Sequence, residues 1–300
     1  MAHPRRIIPD QTYLITRRCY QRTFRLRPRP ETNQIFLYCL ALAMHKTGVR
    51  LHAACVMSNH HHLVVTDPHG LLPDFLRELH RLTAKAINAS QGQWESLWAA
   101  EPCNVVRLVT DEDIEERIAY VTANPVAAGL VREPDAWPGV LVWGARRLRV
   151  SRPGAYFCED GTCPEELSLV VEPPPARTGD SGPRESWFER VRGLVSRKVA
   201  LAHADMRALG RSFLGRDAVH AASFARRAKS YEQKRGIVPA FAAQLKSVRE
   251  RLRRVEQGFR AGHRRALAEW RVGLRETVFP YGTWGMRVLH RAVVGQPLRE

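Results

Sequence analysis

The sequence predicts an α+β chain: a ferredoxin-like (split βαβ) palm with an antiparallel sheet, followed by a mainly helical basic C-terminal extension. Three observations predict it. Apolar periodicity over the first 125 residues switches between strand and helix spacing in the order βαββαβ, with one further helix. A Pro/Gly/Glu-rich stretch follows at about 151–183. The charge is unevenly divided about that stretch. The implied organisation is 1–150, a linker at 151–183, and an extension at 184–300.

Thr12 to Arg18 is short and β-rich, after the turn-like Pro9-Asp10. Glu31 to Thr47 places Ile35, Tyr38 and Leu42 at helical spacing, and Gly48 ends it. Val49–Met57 and His61–Thr66 are strand-like runs joined by Ser58-Asn59-His60. Leu71 to Ser90 is an amphipathic helix (Leu72, Phe75, Leu76, Leu79, Leu82). Asn104–Thr110 reads as a strand. Asp111–Asn124 reads as a helix whose acidic first turn suits the positive N-terminus. It is expected to stop at Asn124-Pro125, because proline disfavours helix in the residue before it. Pro173-Pro174-Pro175 and Gly179-Asp180-Ser181-Gly182 mark the linker. Beyond it, Arg184–Leu214 and Gln244–Leu274 look helical, the second with Leu245, Val248, Leu252, Val255 and Phe259 as a buried stripe between arginines.

The chain is 44% hydrophobic, enough for a sizeable core, yet has no run of about 18 apolar residues to span a membrane. No secretory signal follows Met1, so the expected location is cytoplasmic. Of a net charge of +17, residues 184–300 supply +16, with 26 basic against 10 acidic side chains. A basic unit beside a near-neutral one points to a polyanion partner, nucleic acid above all. Cysteines 19, 39, 55, 103, 158 and 163 are scattered without paired CxxC spacing, so reduced thiols are expected rather than a zinc ribbon.

Asn59-His60-His61-His62 opens a strand-like run, and alternation puts His60 and His62 on one face and His61 on the other. Two imidazoles side by side suit one divalent ion. In Tyr120-Val121-Thr122-Ala123-Asn124-Pro125, helical spacing puts Tyr120 and Asn124 on a common face. That spacing would let a phenol and an amide carbonyl both face such an ion, although a helical tyrosine is more often a core residue. An N-terminal arm, including Arg5, Arg6, Arg17, Arg18 and Arg22 with Tyr13, Tyr20 and Phe24 interleaved, has the composition of a single-strand-binding groove.

Met57-Ser58-Asn59-His60-His61-His62 together with Tyr120 to Leu130 resembles the HUH single-tyrosine transposases, in particular the REP-associated tyrosine transposases. The resemblance covers about residues 5–145, including Trp137, and implies that 1–150 is a catalytic domain. It implies that His60 and His62 bind Mg²⁺ or Mn²⁺, that Asn124 is a third ligand, and that Tyr120 is the nucleophile. The implied activity is cleavage and rejoining of single-stranded DNA with hairpins through a 5′-phosphotyrosine. Two readings stand beside it: a non-catalytic nucleic-acid-binding regulator derived from a transposase, and a metal-dependent hydrolase with a structural Tyr120. Ser58 stands where the family has proline. His61 stands where it has a bulky apolar residue, and if buried it needs a hydrogen-bond partner. The sequence leaves monomer and homodimer open. Truncation after about Gly182 is expected to weaken DNA binding and leave the chemistry at Tyr120 intact.

Overall fold

The computed structural model describes residues 4–154, 157, 163–175, 184–229 and 239–297. Strands β1 (Gln11–Arg18), β2 (Arg50–Met57), β3 (His60–Asp67) and β4 (Asn104–Leu108) alternate with helices α1 (Pro30–Thr47), α2 (Leu72–Ser90) and α3 (Asp111–Ala127). The central strand order is β2-β3-β1-β4, all antiparallel, which is the split βαβ arrangement. Burial of both sheet faces explains the near-continuous apolar strands. Ile15, Val56, Leu63 and Val65 pack under α1 and α2. Leu14, Cys55, Val64 and Val106 pack under α3.

Local chemistry fixes the helix ends. Pro30 occupies the first turn of α1, where its missing N–H costs nothing, and Gly48 closes it at φ 72°. A Cβ at Gly48 would lie 2.9 Å from the His69 ring, so only glycine fits. Thr110 and Asp113 form a capping box at the start of α3, each bond 3.2 Å. Contrary to the sequence expectation, α3 does not stop at Asn124. It carries Pro125 inside and ends with Gly129 at φ 70°. The Ala128 N–H still reaches the Asn124 carbonyl (2.9 Å), so proline removes one helical bond without ending the ladder.

The linker assignment also needs correcting. Strands β5 (Leu141–Trp143), β6 (Arg146–Ser151) and β7 (Glu166–Val171) extend the sheet beyond β2. Leu167, Leu169 and Val171 face the core at alternate positions, a strand pattern that the surrounding prolines and glutamates obscure. The Gly179–Gly182 part of the assigned linker lies outside the described residues.

The extension contains α4 (Arg184–Ala208), α5 (Arg216–Ala221), β8 (Phe241–Ala242), α6 (Lys246–Arg271) and α7 (Trp284–His290). It shares structure with the palm. Trp187 and Val191 of α4 join the core under α3, Arg190 grips Glu115 through bonds of 3.0 and 2.8 Å, and Lys198 pairs with Glu116. β8 adds a parallel strand beside β4, so among the described residues the sheet has eight strands and two parallel pairings. Cys19, Cys39, Cys55, Cys103 and Cys163 are free thiols; Cys158 lies outside the described residues. Among the described residues no helix is long and apolar enough to cross a membrane.

Candidate functional site

The site forms on the α3 face of the sheet, at the end where β2 turns into β3. A tight Ser58-Asn59 connection starts β3 at His60, opposite Arg18 of β1, and puts His62 opposite Thr16. His60 and His62 project to the same side, with ring centroids 4.8 Å apart. The Tyr120 ring approaches His62 at 5.4 Å. The structure thus brings His60, His62, Tyr120 and Asn124 together.

Each imidazole is oriented through Nδ1. His60 Nδ1 hydrogen-bonds Asn59 Oδ1 at 2.6 Å, and His62 Nδ1 hydrogen-bonds Thr16 Oγ1 at 2.8 Å. Asn59 is itself held, accepting from Cys19 N through its carbonyl (2.8 Å) and donating to the Arg22 carbonyl (3.3 Å). Because the Asn59 amide oxygen can only accept, His60 Nδ1 carries the proton and its electron pair lies on Nε2; His62 has the same arrangement in the tautomer that donates Nδ1–H to the Thr16 hydroxyl. Among the described residues, His62 Nε2 is buried without a hydrogen-bond partner. Burial, with Arg18 and Arg22 nearby, pushes His60 down to about 4. Burial, then His60, holds His62 well below its usual range. Both rings are therefore neutral at pH 7 and able to donate electron pairs.

The Tyr120 phenol is raised above its ordinary pKa by burial. A side-chain hydrogen bond from Asn124 and the charge of Arg117, one turn earlier on α3, act in the opposite direction. An amide that donates to the phenol through nitrogen keeps its carbonyl oxygen available. Among the described residues no three His, Cys, Asp or Glu side chains are grouped to hold a metal. A metal ion held by the two histidines would need a further ligand of another type, and Asn124, beside Tyr120, is the amide at hand.

The arginines of the N-terminal arm separate. Arg18 and Arg22 lie close enough to His60 to depress it. Arg17 is on the opposite side of β1, donating to the Glu101 and Ala99 carbonyls (2.9 and 3.1 Å). Arg5 donates to the Cys103 carbonyl, and the backbone of Arg6 pairs with that of Thr283 in the C-terminal extension. Of the interleaved rings, Tyr13 is buried, Phe24 receives Arg226 at 5.9 Å, and Tyr20 remains exposed.

His61 points to the other face and is fully buried. Its Nε2 is 3.1 Å from His80 Nε2 of α2, with Phe36 and Trp98 against the ring. The required partner thus exists, although His61 Nδ1 stays unsatisfied. Thr16, Arg117 and His80 were not singled out from the sequence. Thr16 was accessible in principle from strand alternation once β1 and β3 were paired. Trp137 donates to the Val56 carbonyl (3.1 Å), and a Cβ on Gly139 would collide with that indole, so the segment after α3 is clamped to β2 behind the histidines.

Solved structures similar to this chain include the following two. One is a REP-associated tyrosine transposase bound to a REP hairpin: 20% identity, TM-score 0.39, covering 46% of this chain and 81% of that one. The other is a Deinococcus radiodurans protein termed a transposase: 19% identity, TM-score 0.28, covering 40% and 95% respectively. No family model and no curated protein matches the chain.

Proposed function

We propose that the chain is a transposase that cleaves and rejoins single-stranded DNA with hairpins, using Tyr120 as nucleophile and a divalent ion at His60, His62 and Asn124. The observation that carries this reading is the buried, unpartnered His62 Nε2 on the side of Tyr120, beside a second histidine also fixed through Nδ1. Burying a polar nitrogen unpaired costs roughly 1–3 kcal/mol, and a ligand to that nitrogen removes the penalty. Mg²⁺ or Mn²⁺, when bound, supplies positive charge at a nonbridging phosphate oxygen.

The residues of the chain do the rest. Tyr120 Oη loses its proton and attacks phosphorus. The bond to the departing 3′-oxygen breaks, that oxygen takes up a proton, and the phosphate remains joined to tyrosine at the 5′ end. Attack by another 3′-hydroxyl reverses the step and releases the phenol, so no external energy source is required. Asn124 and Arg117 both favour the phenolate against the burial that opposes it. Arg18 and Arg22 supply cationic charge beside His60 for the backbone of the strand.

The test is a covalent adduct. Hairpin-bearing single-stranded DNA with Mn²⁺ should give a protein–DNA species stable on a denaturing gel, absent for Tyr120→Phe. No adduct from the unaltered protein would favour a non-catalytic nucleic-acid-binding regulator. Cleavage without an adduct would favour hydrolysis through water.

A further inference from the structure

Helix α6 carries five arginines that have no partner among the described residues. It is 26 residues long, about 39 Å at 1.5 Å per residue. Leu252, Phe259 and Ala266 are buried along one side, so that side is committed to the fold. At about 100° per residue, Arg253, Arg264 and Arg271 fall in one row on the far side. Arg254 and Arg265 form a second row about 100° round the axis. All five are exposed. Between the rows lie the exposed Gln257, Ala261 and Ala268, with one carboxylate, Glu250, at the N-terminal end. Among the described residues none of the five arginines has a hydrogen bond, ion pair or ring contact, whereas Arg260 pairs with Glu256 and Arg249 reaches the Ala243 carbonyl.

We propose that this face of α6 is a docking surface for duplex DNA, the helix lying along the major groove with its two arginine rows directed to the phosphates on either side. Charge complementarity selects a polyanion, and the details of the face select the kind. A single strand is held by stacked rings, but Phe259 turns inward with the buried stripe and the floor between the rows has no ring. A membrane surface needs an apolar face to insert, and the apolar stripe of α6 (Leu252, Phe259 and Ala266) is already buried in the fold. A major groove about 12 Å wide admits one helix, and the small Ala261 and Ala268 between the rows let that helix approach closely. The row from Arg253 to Arg271 is about 27 Å long, enough for its guanidinium groups to follow the backbone over several base pairs. The proposal is independent of the chemistry at Tyr120: the surface binds duplex whether or not the tyrosine cleaves.

The test uses the full chain with Arg253, Arg254, Arg264, Arg265 and Arg271 all replaced by Gln. Binding is measured to a blunt DNA duplex, to oligothymidine and to anionic phosphatidylserine vesicles over a range of salt. Because the five side chains have no partner among the described residues, the melting temperature should not move. Should the fivefold variant fail to fold, the two adjacent pairs, Arg253→Gln/Arg254→Gln and Arg264→Gln/Arg265→Gln, are each read in the same way. Duplex affinity is expected to fall roughly tenfold or more, and the slope of log affinity against log salt to flatten by up to about 4 units. Oligothymidine affinity should change far less. Unchanged duplex affinity, an equal loss on oligothymidine, or a loss confined to vesicles would each overturn the proposal.

Discussion

Replacing the buried His61–His80 pair should have asymmetric effects that can be counted from the nitrogens. In the native protein the pair shares one hydrogen bond (3.1 Å), and one buried nitrogen, His61 Nδ1, has no partner. A buried unsatisfied group costs about 1–3 kcal/mol. His61→Leu removes that orphan and leaves His80 Nε2 without its partner in exchange, so its stability should lie within about 1 kcal/mol of the native value. His80→Leu leaves both nitrogens of a fully buried His61 unpaired, and should cost about 1–3 kcal/mol. The double variant leaves no imidazole behind and fills the site between Phe36 and Trp98 with aliphatic groups. It should be more stable than either single variant, and than the native chain by about 1–3 kcal/mol. Urea unfolding of the four proteins forms a double-mutant cycle in which the effects do not add. If His80→Leu destabilises no more than His61→Leu, the hydrogen-bond reasoning is refuted and the rings act as volume alone.

His62→Ala should abolish Mn²⁺ binding in calorimetric titration while leaving the fold intact; unchanged affinity would remove His62 from the metal site. Thr16→Val, which removes the bond that orients His62 Nδ1, should weaken that affinity about 10- to 100-fold without touching a ligand, as partners of ligating histidines commonly do. Acid should unfold the protein. Burial holds His80 at about 3 and His60 at about 4, against 6.5 in an exposed chain. The unfolded chain therefore binds protons that the folded one refuses as pH drops below 6.5. Stability is complete above that value and declines toward pH 3–4, by several kcal/mol in order of magnitude. The His61→Leu/His80→Leu variant should show a shallower decline in urea midpoint over the same range.

The palm was legible because its signals are local. Alternation gave β1 to β4, and glycine and the acidic turn gave the limits of α1 and the start of α3. HxH on a strand and Tyr120/Asn124 on a helix put four side chains on facing surfaces before their strands were paired. What escaped depends on partners distant in sequence. β7 is a strand because β6 and β2 are beside it, and its flanking prolines hide the alternation. His80 completes His61 across 19 residues and two elements. The arm arginines are near-equivalent in sequence, but the parity of β1 sends Arg17 away from the site face that bears Thr16. Pro125 misled because the rule concerns average preference, while the helix here continues with only one bond removed.

The charge split invites treating the extension as a detachable DNA clamp, and the structure contradicts that. Removing residues after about Gly182 would strip α4 from α3, the helix that carries Tyr120. Trp187 and Val191 would no longer cover their part of the core, a loss of about 1.5–3 kcal/mol for each large side chain. Glu115 is 6% exposed and would lose the two-pronged grip of Arg190. Because Arg190 itself is half in water, that loss is nearer 1 kcal/mol than the 3–5 of a fully buried pair. Gly129 and Leu130, which close α3, would lose the backbone bonds they accept from Leu214 and Gly215, both 2.9 Å. β4 would also become a bare edge where β8 now pairs. Together these approach the whole stability of an ordinary domain, about 5–15 kcal/mol. The truncated chain should therefore melt far lower or aggregate, and lose adduct formation with the fold. The fivefold arginine variant of α6 should instead keep its melting temperature and its adduct. A truncated chain with an unchanged melting transition would show that α4 merely rests on the palm, and would restore the detachable clamp.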